Sequence, residues 1–374
     1  MNSKNIFFNK RQLGYLAESS IRSTWERIGK KEGKTLADVS LGNPSAMPPP
    51  QKLINQLIKI LQQPIPSGFL SYMDNAGYVK TRQAVAKDLV NSKLFSKELN
   101  ENYIIMTAGA AAAINCTLLA LLNPTDEVII LSPFFVDYPK YILNFSAKPR
   151  VVDLKPPIFD LDINLIEKAI SRKTKAIIIN SPNNPTGKVY SKEKLDKLTK
   201  LLKRKNKEFK HPIYLISDEV YREIIYDNNI FFSPCTNYEY SIMIYSYSKS
   251  LNIPGERIGY AAIHPLMKNS ETLFKLIKFS NRALGFTNAP ALIQKIIPEL
   301  IPLKFNNKYY QKQRNKLVST FKKAGFEFQI PEGAFYFFVK FPIADENKFL
   351  TEAETNNLYF VNSRPFGISG YFRV

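Results

Sequence analysis

Short, wholly apolar runs alternate along the middle of the chain with stretches whose apolar residues recur at helical spacing. Y-I-I-M (103–106) precedes an alanine-rich helix, and E-V-I-I-L (127–131) precedes an aromatic loop. A-I-I-I-N (176–180) leads into a Pro/Asn turn and then a lysine-rich helix, and P-I-Y-L-I-S (212–217) and S-I-M-I-Y (241–245) come after it. Runs this continuous have no polar face, so they suit strands covered on both sides in a mostly parallel sheet flanked by helices. The pattern predicts an α/β fold, in which ligands sit beyond the carboxyl ends of the strands. The tail reads differently: 305–325 has a helical pattern, F-Y-F-F-V-K-F (335–341) reads as a strand, and Y-F-R-V closes the chain. Together with a length of 374 residues, too long for one small core, this predicts two domains. A large domain is expected over 45–282, and a smaller α+β domain over 1–44 and 283–374.

Charge changes this picture little. The 52 Lys and Arg outnumber the 32 Asp and Glu, which would suit nucleic acid if the excess were gathered on one face or arm. It is spread along the chain. In and just before the one dense stretch, K-L-T-K-L-L-K-R-K-N-K (197–207), Leu195, Leu198, Leu201 and Leu202 recur at helical spacing, which makes its lysines the wet face of an amphipathic helix. With no recognition motif beside them, no nucleic-acid partner is expected. A hydrophobic content of 45% argues against wholesale disorder. There is no apolar run of about 18 residues and no signal-peptide pattern, so no membrane partner is expected either. Cys116 and Cys235 lie far apart, without paired-thiol or zinc spacing, which predicts a reduced, cytoplasmic setting and no metal site. His211 and His264 stand beside prolines without a Ser or Cys nucleophile motif, which leaves hydrolase chemistry unsupported.

The residues just after each apolar run are more informative. S-P-N-N-P-T-G (181–187) comes after the third run, D-E-V-Y (218–221) after the fourth and S-Y-S-K-S-L-N-I-P-G-E-R (246–257) after the fifth. Singly these mean a tight turn, an acid at a strand end and one lysine among many. As an ordered set they resemble the fold-type I pyridoxal-phosphate aminotransferases of class I/II. The resemblance extends outward through S-L-G-N-P-S (40–45), Y-M-D-N-A-G (72–77), T-A-G-A-A-A-A (107–113), S-P-F-F-V-D-Y (132–138), P-E-G-A-F-Y-F-F-V (331–339) and the terminal F-R-V, and so covers about residues 38–374.

The resemblance implies a pyridoxal 5′-phosphate enzyme that transfers an amino group from an amino acid to a 2-oxo acid, with Lys249 forming the Schiff base to the cofactor. It implies Asp218 beside the ring nitrogen, Asn184 and Tyr221 at the ring oxygen, and Phe135 stacked on the ring. Ser246, Arg257 and the backbone amides of Ala110 and Ala111 match the phosphate ligands. Tyr72 matches a tyrosine that reaches the phosphate from the neighbouring subunit, so a homodimer is implied. Arg373 and the backbone of Gly42 match the grip on the substrate α-carboxylate, with Asn184 beside them, a task suited to an arginine fork. A lyase or decarboxylase on the same scaffold is the alternative, since the same groups serve any reaction through a stabilised carbanion; a non-catalytic cofactor binder is a further one.

Three features depart from the family pattern. The chain stops one residue after Arg373, where relatives continue, and an arginine so near the end is expected to fray or to pair with the terminal carboxylate. V-N-S-R-P-F-G (361–367) lacks a glycine usual at this place, which bears on the substrate lid. No motif position assigns the residue that reads the substrate's side chain; Arg282, in N-R-A-L-G-F, is a candidate for a second substrate carboxylate.

Overall fold

A computed structural model of the chain describes residues 42–44, 47–301, 303 and 305–374, with Tyr15 and the backbone of 37–38. Most of the N-terminal part expected in the smaller domain, including Ser40, Leu41 and Ser45 of the 40–45 motif, lies outside the described residues.

The strands are β1 (Ala37–Asp38), β2 (Ile104–Thr107), β3 (Glu127–Ser132), β4 (Lys148–Asp153), β5 (Thr174–Asn180), β6 (Tyr214–Asp218), β7 (Ser241–Ser246), β8 (Gly259–Ile263), β9 (Phe338–Lys340), β10 (Leu358–Tyr359), β11 (Val361–Asn362) and β12 (Tyr371–Arg373). Seven form the central sheet in the order β2-β8-β7-β6-β5-β3-β4. Neighbours from β4 through β7 are parallel, and only β8 runs against its neighbours β7 and β2. All five predicted runs are strands of this sheet. The pattern missed β4, whose residues are mostly solvent-facing at the sheet edge, and β8, a five-residue G-Y-A-A-I run that is buried throughout and opens on a glycine with two small alanines at its centre.

Side chains of both sheet faces are buried. One set (Ile130, Ile178, Ile216, Ile244) packs on helices Gly109–Leu121 and Ser270–Ala283. The opposite set (Ile129, Ile177, Ile179, Leu215) meets Leu195, Leu198, Leu201 and Leu202 of helix Lys192–Phe209. The predicted amphipathic helix is therefore real. Its lysines face water and pair with nearby acids: Lys192 with Asp196, Lys197 with Glu193, and Lys205 with Glu167 and Glu208. Among the described residues no helix is long and apolar enough to cross a membrane.

The tail forms a three-stranded antiparallel sheet, β11-β12-β9, packed by Phe321, Phe337, Phe341 and Phe372 under helix Lys308–Lys323. Arg373 lies in the middle strand of this sheet, 2% exposed. Val374 and Phe337 exchange two backbone hydrogen bonds of 2.9 Å. The expected fraying does not occur, because the last residues are tied into the sheet on both sides.

Candidate active site

The ends of β5, β6 and β7 and the start of helix Gly109–Leu121 converge on a cavity of about 300 Å³. β5 and β6 are in register at Asn180 and Asp218. The Asn180 amide donates to the Asp218 main-chain oxygen (2.9 Å), and its Oδ1 accepts from the Asn184 backbone N–H (2.7 Å). One buried asparagine thus joins two strand ends and sets the turn that carries Asn184. Downstream, Gly187 closes that turn at φ 69°, where a Cβ would meet Pro331 at 2.6 Å. Its carbonyl accepts the backbone N–H groups of Glu332 and Gly333, which docks the N-P-T-G turn onto the P-E-G segment.

Lys249 lies in the one-turn helix Tyr247–Ser250 directly after β7, capped by the Ser246 side chain. Its Nζ donates to the Gly42 carbonyl at 2.5 Å and stands 5.4 Å from the centre of the Phe335 ring. Burial, then the charges of Arg373 and Arg257, push the lysine down to about 8. Asp218 is 5% exposed, and burial pushes its carboxyl up to about 6. Among the described residues no cation lies within salt-bridge distance of it. A buried carboxylate in that condition is costly, and it suits a ligand that brings its own positive charge.

The opposite end of the cavity suits an anion. Helix Gly109–Leu121 begins at Ala108 with no side-chain cap, so the amides of its first turn, including Ala110 and Ala111, are free donors at the positive helix end. Arg257 arrives there from a left-handed backbone position (φ 45°), its Nη1 and Nη2 held by the carbonyls of Pro254 and Ala108. Gly109, at φ 80°, gives the guanidinium room: a Cβ there would stand 2.5 Å from Nη2. Ser246 and Ser248 hydroxyls lie 2.8 Å apart beside it. Between the two ends lie Phe135 and Tyr221, which line the walls. An elongated group with an aldehyde, a basic ring nitrogen and a phosphate matches these donors in order, and pyridoxal phosphate is such a group.

The third side of the cavity holds Arg373. Its Nη1 donates to Asn184 Oδ1 (3.0 Å), and its guanidinium lies 4.5 Å from the Tyr336 ring centre and 5.0 Å from that of Phe366. Burial pulls its pKa below the usual arginine value.

The structure thus brings Gly42, Ala110, Ala111, Phe135, Asn184, Asp218, Tyr221, Ser246, Lys249, Arg257 and Arg373 to one cavity. Tyr72 is not among its lining residues and is 94% exposed. Arg282 does not line the cavity; it lies exposed in the last turn of helix Ser270–Ala283, so within one chain it reads no substrate carboxylate.

Four lining or supporting residues carried no assignable signal in the sequence. Asn180 ends an apolar strand, and Ser248 adjoins the lysine. Tyr336 was hidden in an aromatic run; its hydroxyl meets that of Tyr221 at 2.8 Å. Tyr138, at the end of S-P-F-F-V-D-Y, donates to Asp218.

Comparison with known proteins agrees with this geometry. The family model described as "Aminotransferase class I and II" matches residues 40–374. An aspartate aminotransferase of Thermotoga maritima is 30% identical over 337 residues, 87% of this chain and 84% of that protein. An amino transferase from Eubacterium rectale superposes with a TM-score of 0.91 at 33% identity, covering 99% of this chain and 94% of that one. Aspartate aminotransferase from Thermus thermophilus with maleate gives a TM-score of 0.87 at 25% identity, over 99% of this chain and 95% of that one. The chain therefore belongs to the class I and II aminotransferases, fold-type I pyridoxal-phosphate enzymes that move an amino group from an amino acid to a 2-oxo acid.

Proposed function

We propose that the cavity at the ends of β5, β6 and β7 is the transamination site, with Lys249 as the amine that carries the cofactor. The supporting observation is that one cavity holds a half-buried, partly neutral amine, a buried carboxylate with no cationic partner among the described residues, and a buried arginine. Pyridoxal phosphate, when bound, supplies an aldehyde that amines can join and a cationic ring that draws electrons from the substrate's α-carbon.

The chain's own residues do the rest. Asp218 presents its negative charge to the ring nitrogen, and Asn184 and Tyr221 donate to the ring oxygen. Phe135 covers one face of the ring. The amides of Ala110 and Ala111, the Ser246 hydroxyl and Arg257 hold the phosphate. Arg373 grips the α-carboxylate, with the Gly42 backbone and Asn184 beside it, and so fixes the α-carbon near Lys249. A lysine pushed down to about 8 is neutral in about a tenth of molecules at pH 7, against about one in several thousand at its ordinary value. Its Nζ can therefore take the proton from the α-carbon and return it.

The working unit in this reading is a homodimer in which Tyr72 of each chain completes the other chain's phosphate seat. Leu61, Ile65, Leu70 and Tyr72, all exposed within one short segment, supply an apolar surface for that contact. The cytoplasm is the proposed setting, supported by two buried, unpaired thiols.

The test is chemical. Borohydride reduction of the loaded enzyme, followed by peptide mass spectrometry, is expected to leave the cofactor fixed on Lys249. A label on any other lysine, or none, overturns the assignment.

A further inference from the structure

The Asp218 carboxylate receives one short hydrogen bond, from a residue to which the transamination site assigns no task. The Tyr138 hydroxyl, at the start of helix Tyr138–Asn144, donates to Asp218 Oδ2 at 2.5 Å. Both side chains are buried, at 2% and 5% exposure. A second donor to this carboxylate, the Val220 amide, stands 3.4 Å from Oδ1. Tyr138 is itself fixed, with its ring edge-on to Phe135 at 5.5 Å.

We propose that Tyr138 is a positioning residue for the cofactor's ring nitrogen, holding Asp218 oriented and ionised with an uncharged donor so that its negative charge stays available to the ring. The inference rests on the assignment of Asp218 to that nitrogen.

The choice of a phenol comes from electrostatics. An arginine or lysine here would favour ionisation more strongly, but it would neutralise Asp218 and remove what the ring nitrogen needs. With no donor at all, burial would keep the carboxyl protonated into the neutral range. A phenol avoids both outcomes. Burial, and then the Asp218 charge, push Tyr138 well above its ordinary value, so it remains a neutral donor at any working pH. Its bond opposes the burial that pushes Asp218 up to about 6.

The other titratable groups near Asp218 do not take over this task. Tyr141, from the same helix, and Tyr221, from the segment after β6, are both pushed up chiefly by burial. Glu219 is held by the hydroxyls of Ser217 and Ser233. Lys249, Arg257 and Arg373 line the same cavity but make no salt bridge to Asp218.

Pyridoxamine 5′-phosphate, which has no aldehyde to join Lys249, is the probe. Its binding to the full-length apoprotein is measured by calorimetry from about pH 5.5 to 8.5, a range that spans the Asp218 midpoint. Wild type, Tyr138→Phe, Tyr138→His and Asp218→Asn are compared. The Asp218→Asn profile carries the pH dependence of the ligand's own phosphate, and the Asp218 midpoint is read from the difference. In wild type that midpoint is expected near 6. In Tyr138→Phe it is expected about one to two pH units higher, the effect of one hydrogen bond to a charged group, with binding at pH 7 weaker by about tenfold. Tyr138→His keeps a donor in the same place and is expected to move the midpoint back toward wild type.

A Tyr138→Phe profile that superimposes on wild type overturns the role of Tyr138 and leaves that of Asp218 standing. An Asp218→Asn profile that superimposes on wild type overturns the assignment of Asp218 itself. Urea midpoints of each apoprotein separate a folding defect from either result. If Tyr138→Phe does not fold, a Tyr138→His midpoint further from wild type than about two units overturns the proposal.

Discussion

Arg373→Lys tests the most specific geometric claim, that a buried fork rather than a mere positive charge holds the substrate. Arg373 is 2% exposed, spends one N–H on Asn184 at 3.0 Å, and lies against the rings of Tyr336 and Phe366. A lysine keeps the charge, but it cannot bond Asn184 and present two parallel donors to a carboxylate from one plane. The substitution therefore removes one or two hydrogen bonds to a charged group, each worth about 1.5–3 kcal/mol. Because the α-carboxylate is held throughout the reaction, the loss falls on kcat/KM and amounts to about tenfold for one weak bond and up to about ten-thousandfold for two strong ones. Steady-state kinetics would be run with an amino-acid donor and with the corresponding amine that lacks the carboxylate. The amine makes no use of the fork, so its kcat/KM should change by less than about threefold, within ordinary mutational scatter. An equal loss on both donors would refute the reasoning, because it would mean that Arg373 acts by shaping the cavity and not by gripping the carboxylate.

The remaining predictions concern the lysine and the dimer. Lys249 is pushed from 10.5 down to about 8 in the fold, so between those values the unfolded chain binds more protons than the folded one and apoprotein stability rises with pH. The penalty for burying the ammonium is in force below about pH 8 and gone above about 10.5. Lys249→Met should therefore stabilise the apoprotein at pH 7 and lose that advantage toward pH 10.5, as urea melts across the range would show; an advantage that does not change with pH contradicts the assigned cause. Subunits carrying Tyr72→Ala and Lys249→Ala, unfolded and refolded together, should give more activity than the mean of the two parents, because the mixed dimer regains one intact site. Activity equal to that mean would show that Tyr72 does not serve its neighbour.

The sequence alone determined five of the seven strands of the central sheet and most of the site. Continuous apolar runs such as 176–180 and 241–245 have no wet face, so they can only be interior strands, and the order of motifs after them named the residues that the fold gathers. Periodicity likewise settled helix Lys192–Phe209, because four leucines at helical spacing leave its lysines only the solvent side. Other features depended on long-range packing, which no local pattern records. β4 faces water at the sheet edge and carried no signal, and the short G-Y-A-A-I of β8, with its glycine and two alanines, gave only a weak one; its pairing with β2 and β7 places it in the sheet. Arg373 looked like a frayed end until β9 and β11 enclosed its strand. Tyr138 stands 80 residues from Asp218 in the chain, and Tyr336 was one aromatic in a run of them. Only the folded chain decided that these two hydroxyls meet Asp218 and Tyr221. Hydrogen bonds between distant residues depend on where the backbone carries them, and that is set by the whole fold rather than by either segment.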